Sequence, residues 1–231
     1  MKPFQFKQFS IQQSKTVFRV GTDGVVLGAA SSVNHAKNIL EVGTGTGLIS
    51  MMLAQRNPEA EIQAIDIIEN AVELALENFE NSPFKNRLKV FLQNYKNFNS
   101  KEKYDLIVSN PPYFEENDSS KDIIARQQSE LSFEQLIEKS SDLLSENGLL
   151  SVIIPSESGF FFEDYCNRKN LYLHRKIQIY GIKDSKPKRL LLEFSLQLKE
   201  AIELELVIEK SPRKFTEEYL KLTEEFHQFL K

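Results

Sequence analysis

Residues 39–47 read Ile39-Leu40-Glu41-Val42-Gly43-Thr44-Gly45-Thr46-Gly47. An apolar run followed at once by glycines predicts a buried strand that ends in a tight turn. Glycine has no Cβ atom, so the backbone of such a turn can approach a ligand closely. The spacing is G-x-G-x-G, whereas a dinucleotide site requires G-x-G-x-x-G, and position 48 is leucine. This spacing disfavours a pyrophosphate cofactor and favours a smaller nucleoside cofactor, although a merely structural turn would look the same.

Short apolar runs alternate with amphipathic stretches on both sides of this turn, a pattern typical of βαβ units and a parallel sheet. The predicted strands are Asn38–Val42, Glu61–Ile65, Leu88–Leu92, Tyr104–Ser109 and Leu149–Ile154. The predicted helices are Leu48–Arg56, Glu69–Phe79, Ser132–Leu144 and Ser158–Arg168. Gly148 is predicted to mark the exit from the third helix. Two later runs, Leu173–Ile179 and Leu190–Leu198, predict a final antiparallel hairpin.

The chain of 231 residues is long enough for one domain with a substantial core. We expect a cap segment over residues 1–37, a catalytic core over 38–198, and a C-terminal strand and helix over 199–231. Cys166 is the single cysteine, and no stretch approaches about 20 apolar residues. The expectation is a soluble, cytoplasmic protein. A net charge of −4 argues against a protein that coats nucleic acid indiscriminately.

Polar side chains close the second and third predicted strands. Asp66 and Ile67 follow the second strand, and Asn94 follows the third. A carboxylate at Asp66 could accept hydrogen bonds from both hydroxyls of a ribose, and Asn94 could bind an adenine edge. The set formed by Glu41, the three glycines, Asp66 and Asn94 is more specific than the glycines alone.

The fourth predicted strand ends in Asn110-Pro111-Pro112-Tyr113. In an open α/β sheet, ligands bind outside the carboxyl ends of the strands. Asn110 could accept one N–H of a planar amine through its side-chain carbonyl, and the Pro111 carbonyl could accept the other. Tyr113 could stack on the ring that carries the amine. A proline-rich turn that only closes a strand is the alternative.

These two loops resemble those of the class I S-adenosylmethionine-dependent methyltransferases. The resemblance covers nearly the whole chain and implies a Rossmann-like α/β fold: a seven-stranded, mostly parallel sheet with an antiparallel final hairpin and helices on both faces. It also implies that Gly43, Gly45 and Gly47 border the methionine part of S-adenosylmethionine, that Asp66 binds its ribose and that Asn94 lies near its adenine. Many members of that family have aspartate at the position of Asn94.

Four segments are similar to bacterial valine-tRNA adenine-37 N6-methyltransferases. They are Phe6–Phe9, Val20–Ala29, Ala125–Gln127 and Pro187–Leu192. The resemblance implies that Thr22 and Asp23 help to close over the cofactor and that Arg126 and Arg189 serve the RNA. The candidate cofactor residues are Thr22, Asp23, Glu41, Gly43, Gly45, Gly47, Asp66, Ile67, Asn94 and Asn110. The candidate catalytic residues are Asn110, Pro111, Pro112 and Tyr113, and the candidate RNA residues are Arg126, Lys186, Lys188 and Arg189.

Eight lysines and arginines stand against one aspartate between residues 165 and 190. Such a segment could dock phosphates, although charges scattered over a solvated surface are the plainer interpretation. The expected partner is a tRNA, with no membrane and no metal, and the protein is expected to be a monomer. Methylation of a protein glutamine, of DNA or of rRNA remains an alternative, as does a non-catalytic cofactor- or RNA-binding scaffold.

Overall fold

A nine-stranded sheet with helices on both faces organises the computed structural model, which describes residues 1–17, 19–111 and 131–227. The strands are β1 Phe4–Gln5, β2 Ser10–Ile11, β3 Asn38–Val42, β4 Glu61–Asp66, β5 Leu88–Leu92, β6 Tyr104–Ser109, β7 Leu144–Pro155, β8 Tyr172–Ile182, β9 Arg189–Ser195, β10 Ile202–Ser211 and β11 Lys214–Phe215. The helices are α1 Thr22–Ala30, α2 Leu48–Arg56, α3 Glu69–Glu80, α4 Phe133–Leu143, α5 Gly159–Arg168 and α6 Glu217–Thr223.

The strands of this sheet lie in the order β11-β10-β8-β9-β7-β6-β3-β4-β5, and β1 pairs with β2 in a separate hairpin. From β7 through β6, β3 and β4 to β5, every neighbouring pair is parallel. Strand β9 is antiparallel to both β7 and β8. The mostly parallel sheet with a reversed final hairpin is thus confirmed.

The predicted count of seven strands is wrong, because β10 and β11 extend the sheet. The sequence predicted a C-terminal strand within residues 199–231. In the structure this strand pairs in parallel with β8, in register Ile202↔Arg175, and β11 pairs with β10. The pairing covers the backbone donors and acceptors that an open β8 edge would expose.

A capping box begins α4, whereas the prediction for Gly148 is wrong. The Ser132 hydroxyl accepts a hydrogen bond from the Gln135 amide at 3.3 Å, and the Ser132 amide donates to Gln135 Oε1 at 3.1 Å. The helix ends before Gly148, which lies inside β7. A Cβ atom there would lie 2.6 Å from the Tyr104 carbonyl oxygen, so close strand packing explains this glycine.

Two apolar cores flank the sheet. One lies under the N-terminal hairpin, α1, α2, α3 and α6, and includes Phe6, Leu27, Met52 and Phe79. The other lies under α4 and α5 and includes residues such as Phe162. Each face of the central strands is therefore covered, which explains why their sequences are continuous apolar runs rather than alternating ones.

Glu193 ties the N-terminal segment to the sheet. Its side chain is fully buried on β9. One carboxylate oxygen accepts from the Ser32 amide at 2.7 Å, and the other accepts from the Ser32 hydroxyl at 2.8 Å and from Arg175 Nε at 2.9 Å. A buried charge is tolerated only with such partners. This carboxylate consequently holds the end of α1 against the sheet.

Replacing Glu193 with alanine should lower the free energy of unfolding by about 3 kcal/mol, because it takes the carboxylate away from the partly buried donors of Arg175 and Ser32. Urea denaturation measures this change. The exposed Glu203 of β10 offers a matched control, and its replacement with alanine should stay within about 0.5 kcal/mol of the wild type. Equal losses in the two variants would show that the Glu193 contacts are not stabilising.

Candidate active site

The carboxyl ends of the parallel strands meet at one edge of the sheet. Parallel strands β5, β4, β3, β6 and β7 present their carboxyl ends there in that order, about 4.8 Å apart. Strand β8 is parallel to them and also ends there, while the antiparallel β9 begins there. We call this the ligand edge. It carries the predicted site residues in the spatial order Asn94, Asp66, Gly43, Asn110 and Arg189.

The glycines of the turn after β3 serve two different purposes. All three have left-handed backbones, with φ of 76°, 56° and 81° at Gly43, Gly45 and Gly47. A Cβ atom at Gly47 would lie 2.5 Å from the Phe79 ring, so this position needs glycine for packing. A Cβ atom at Gly43 would meet nothing within 4 Å, and one at Gly45 would only approach Val17 at 3.9 Å. The turn therefore leaves open space above Gly43 and Gly45, as a ligand cradle requires.

Glu41 holds this turn from beneath. The side chain is fully buried, and its Oε2 atom accepts from the Thr44 hydroxyl at 2.8 Å, from the Ser50 amide at 3.0 Å and from the Ser50 hydroxyl. Its Oε1 atom is buried and has no hydrogen-bond partner among the described residues. Burial raises the pKa of Glu41 to about 7. The hydrogen bonds from Ser50 and Thr44 act in the opposite direction and lower this pKa, whereas the charge of Asp66 raises it further.

Asp66 joins the turns that follow β3 and β4. Its Oδ2 atom accepts from the Gly45 amide at 2.9 Å, and its Oδ1 atom accepts from the Ile68 amide at 3.0 Å. Each carboxylate oxygen retains a further lone pair for a ligand hydroxyl. The neighbouring Ile67 exposes half of its apolar surface at the same edge. The residue predicted to bind ribose thus also shapes the glycine turn.

Asn94 follows β5, and its side-chain oxygen caps the short turn that comes next. It begins a short 3-10 turn, Tyr95–Asn97, and its Oδ1 atom accepts from the Lys96 amide at 2.9 Å. An aspartate would serve this cap equally well. The Nδ2 group of Asn94 is the part left to bind an adenine edge.

Asn110 lies beside the glycine turn because β6 is the direct neighbour of β3. Ser109 is in register with Val42, and its hydroxyl donates to the Val42 carbonyl at 2.9 Å. Asn110 follows Ser109 and Gly43 follows Val42, so Asn110 and Gly43 are neighbours at the ends of these two strands. The Oδ1 atom of Asn110 is buried without a hydrogen-bond partner among the residues that the structure describes. Pro111 is buried beside it, and the predicted site residues Pro112, Tyr113 and Arg126 lie outside the described residues.

Thr22, Asp23 and Arg189 meet at the ligand edge on the α1 side. Thr22 begins α1 and is exposed, and Arg189 Nε donates to Asp23 Oδ2 at 2.8 Å. The resemblance assigned Asp23 to the cofactor and Arg189 to RNA, and the structure joins the two in an ion pair. The Gly24 position packs on Leu48, directly after the glycine turn, so this pair lies close to the cradle.

The basic segment of residues 165–190 is split by the fold. Five of its cations are held in ion pairs: Arg168 with Asp164, Lys169 with Glu138, Arg175 with Glu193, Lys176 with Glu163 and Arg189 with Asp23. Arg168 and Lys169 lie at the end of α5, which is at the opposite edge of the sheet. Lys183, Lys186 and Lys188 are exposed at the ligand edge and make no ion pair with another described residue. We call residues 183–189 the basic loop.

Asn78 is a site residue that was not predicted. Its Nδ2 atom donates to the Thr46 carbonyl at 2.8 Å, and its Oδ1 atom accepts from the Gln12 amide at 2.7 Å. It therefore fastens the N-terminal segment to the glycine turn, next to the contact of Val17 with Gly45. Its position on the buried, otherwise apolar face of α3 was the available signal.

Among the described residues, no helix is long and apolar enough to cross a bilayer. No group of three or more histidine, cysteine, aspartate or glutamate side chains in the described ranges is placed to hold a metal ion.

Known proteins resemble this chain in sequence and in fold. The sequence profile of the methyltransferase small domain matches residues 20–161. A predicted O-methyltransferase from Agrobacterium tumefaciens superposes with a TM-score of 0.68 at 19% identity, over 88% of this chain and 96% of that one. A TehB-like SAM-dependent methyltransferase from Corynebacterium glutamicum superposes with a TM-score of 0.51 at 18% identity, over 76% of this chain and 88% of that one. The fold is that of class I methyltransferases.

Two curated relatives extend over the whole chain. Both are named tRNA1(Val) (adenine(37)-N6)-methyltransferase. The protein from Flavobacteriaceae bacterium (strain 3519-10) is 53% identical over 99% of this chain and 100% of its own length. The protein from Bacteroides thetaiotaomicron is 40% identical over 99% of this chain and 98% of its own length. The chain belongs to the methyltransferase small domain family, and it is an enzyme of that family.

Replacing Glu41 with glutamine should change how stability depends on pH. The folded state holds a proton on Glu41 up to a pKa of about 7, whereas the ordinary value is 4.5. The stability contributed by the neutral carboxyl is thus complete below pH 4.5 and is lost as the pH rises to about 7. Relative to the variant, the wild type should lose on the order of 3 kcal/mol of unfolding free energy across this interval.

Denaturant titrations at a series of pH values measure this difference. Glu61, exposed at the start of the adjacent strand β4, supplies the matched control, and its glutamine variant should follow the wild-type curve. Parallel curves for the wild type and the Glu41 variant would contradict the expectation.

Proposed function

We propose that this enzyme transfers a methyl group from S-adenosylmethionine to N6 of adenine 37 in a valine tRNA. The observation that carries the proposal is the buried Oδ1 atom of Asn110, which no other described residue hydrogen-bonds, beside the open glycine turn. The names of the full-length relatives support the choice of base and of RNA.

The cofactor residues fit S-adenosylmethionine. Gly43 and Gly45 leave room for its methionine part, the spare lone pairs of Asp66 suit ribose hydroxyls, and Ile67 offers apolar surface to adenine. The bound cofactor supplies an electrophilic methyl group. The carboxylate of Asp66 favours a ligand with a net positive charge at this end of the edge.

Asn110 and Pro111 prepare the acceptor. The lone pair of an exocyclic adenine amine is delocalised into the ring and makes a poor nucleophile. Two acceptors, Asn110 Oδ1 and the Pro111 carbonyl oxygen, hold both N–H groups and turn the lone pair toward the donor. The amine loses one proton to water after transfer, so the chemistry needs no histidine base. Tyr113 is proposed to stack on the base.

The N-terminal segment and the basic loop complete the proposed site. Residues 1–37 form a cap over the cofactor, supported by the contacts of Asn78 and Val17 with the glycine turn. Lys186 and Lys188 face the phosphates of the tRNA from the same edge. An anticodon-loop base is already accessible, so presenting it costs less than flipping a base from a duplex. The enzyme acts as a monomer in this proposal.

Replacing Asn110 with alanine should lower the single-turnover rate of methyl transfer by roughly 100- to 1000-fold, because it removes one preorganised hydrogen-bond acceptor for the amine. Affinity for S-adenosylmethionine, measured by calorimetry, should stay within about threefold, since Asn110 acts on the acceptor. The exposed Asn99 provides a matched control that should change neither quantity. A wild-type rate in the Asn110 variant would show that the tetrapeptide is only a turn.

Deleting the gene should remove 6-methyladenosine from valine tRNA. Mass spectrometry of purified valine tRNA from the deletion strain measures this loss, and the wild-type gene, but not the Asn110→Ala gene, should restore the modification. Unchanged 6-methyladenosine in every valine tRNA, with a methyl group lost instead from a protein glutamine or from DNA, would refute the proposed substrate.

A further inference from the structure

Three consecutive phenylalanines begin α5 and lie in three different environments. Phe162 is fully buried in the core, and Phe161 packs against the Tyr165 ring at 6.1 Å. Phe160 exposes 86% of its surface and makes no ring contact with another described aromatic side chain. A single exposed apolar residue is ordinary on a protein surface. Phe160 is of interest because of its position in the fold.

Phe160 lies at the ligand edge, one strand beyond Asn110. Strand β7 is the neighbour of β6, and α5 begins four residues after β7 ends. The Ser156 hydroxyl donates to the Pro187 carbonyl at 2.7 Å, and the Ser156 amide donates to the Lys188 carbonyl at 3.2 Å. These two bonds fasten the basic loop to the start of α5.

Phe160 and Pro187, which belongs to the basic loop, line one cleft of about 280 Å³. Pro187 and Leu190 form its other apolar wall, and the paired Lys176 and Glu163 contribute to its lining. That ion pair is internally neutral, and the exposed Lys186 and Lys188 flank Pro187 in the chain, so positive charge adjoins the cleft. An exposed ring beside exposed lysines is the combination that binds single-stranded nucleic acid, through stacking on a base and attraction of its phosphates.

We infer that the Phe160 ring stacks on a nucleobase of the anticodon loop that flanks the methylated adenine, while the basic loop binds the adjoining phosphates. This inference rests on the proposed function and adds a second base-binding position to it. Stacking is tolerant of base identity because every base has a π face. Phe160 therefore positions the loop, and recognition of adenine itself stays with Asn110 and Pro111.

Binding of an anticodon stem-loop of valine tRNA to the full chain, measured by fluorescence anisotropy at several salt concentrations, tests the inference. Replacing Phe160 with alanine should weaken binding about 10-fold at every salt concentration, since stacking does not depend on counterion release. The tryptophan variant of Phe160 should bind like the wild type. Replacing Leu198 with alanine is the matched control, because Leu198 is 77% exposed at the opposite edge of the sheet.

A second set of RNAs identifies the stacked nucleotide. Each loop nucleotide near the target adenine is replaced in turn by an abasic one, and each RNA is bound to the wild type and to the Phe160→Ala variant. At one flanking position the abasic change should weaken wild-type binding about 10-fold and leave the variant nearly unaffected. Additive losses at every position would overturn the inference.

Three further results separate the inference from the proposed function. Binding of the Phe160→Ala variant within twofold of the wild type, with methylation of tRNA intact in the wild type, would overturn the inference alone. Dissociation of a dimer by Phe160→Ala, measured by sedimentation, would also overturn it, because the ring would then serve a second copy of the chain. A wild type that methylates no tRNA would refute the proposed function and the inference together.

Discussion

The glycine turn after β3 is the constraint on which the rest of the site depends, and two carboxylates hold it in place. Glu41 binds Thr44 and Ser50 from below, and Asp66 binds the Gly45 amide from the neighbouring strand. Three residues of the turn have left-handed backbones, which glycine adopts without steric strain, and the hydrogen bonds to Glu41 and Asp66 hold them in that conformation. Burial and the nearby Asp66 both disfavour a negative charge on Glu41, and its pKa is therefore raised to about 7.

How much of this could be predicted from sequence depends on how local each signal is. The bounds of β3, β5, β6 and α2 follow from apolar runs and turn residues that lie next to each other in the chain. The Asp23–Arg189 pair joins residues 166 positions apart, and nothing in the sequence near either residue indicates its partner. The same reason explains the error in strand number, because the pairing of β10 with β8 depends on an edge that only the assembled sheet defines.

The basic segment shows why a charge count is a weak predictor of a binding surface. Its eight cations are close in sequence, but α5 and β8 carry them to both edges of the sheet. Acidic neighbours then neutralise four of them, and Arg189 is paired with Asp23. The exposed pairs, such as Arg168 with Asp164, contribute little to stability, but every pair removes charge from the surface that a polyanion meets.

Charge is also sorted along the ligand edge. The carboxylate of Asp66 lies at the end of β4, and the exposed lysines of the basic loop lie between β8 and β9. Asn110, between these two regions, is uncharged and offers a buried acceptor. A cationic methyl donor and a polyanionic RNA are therefore each attracted to a different end of one edge. An amide suits the place where they meet, because a carboxylate there would repel the phosphates and a cation would repel the donor.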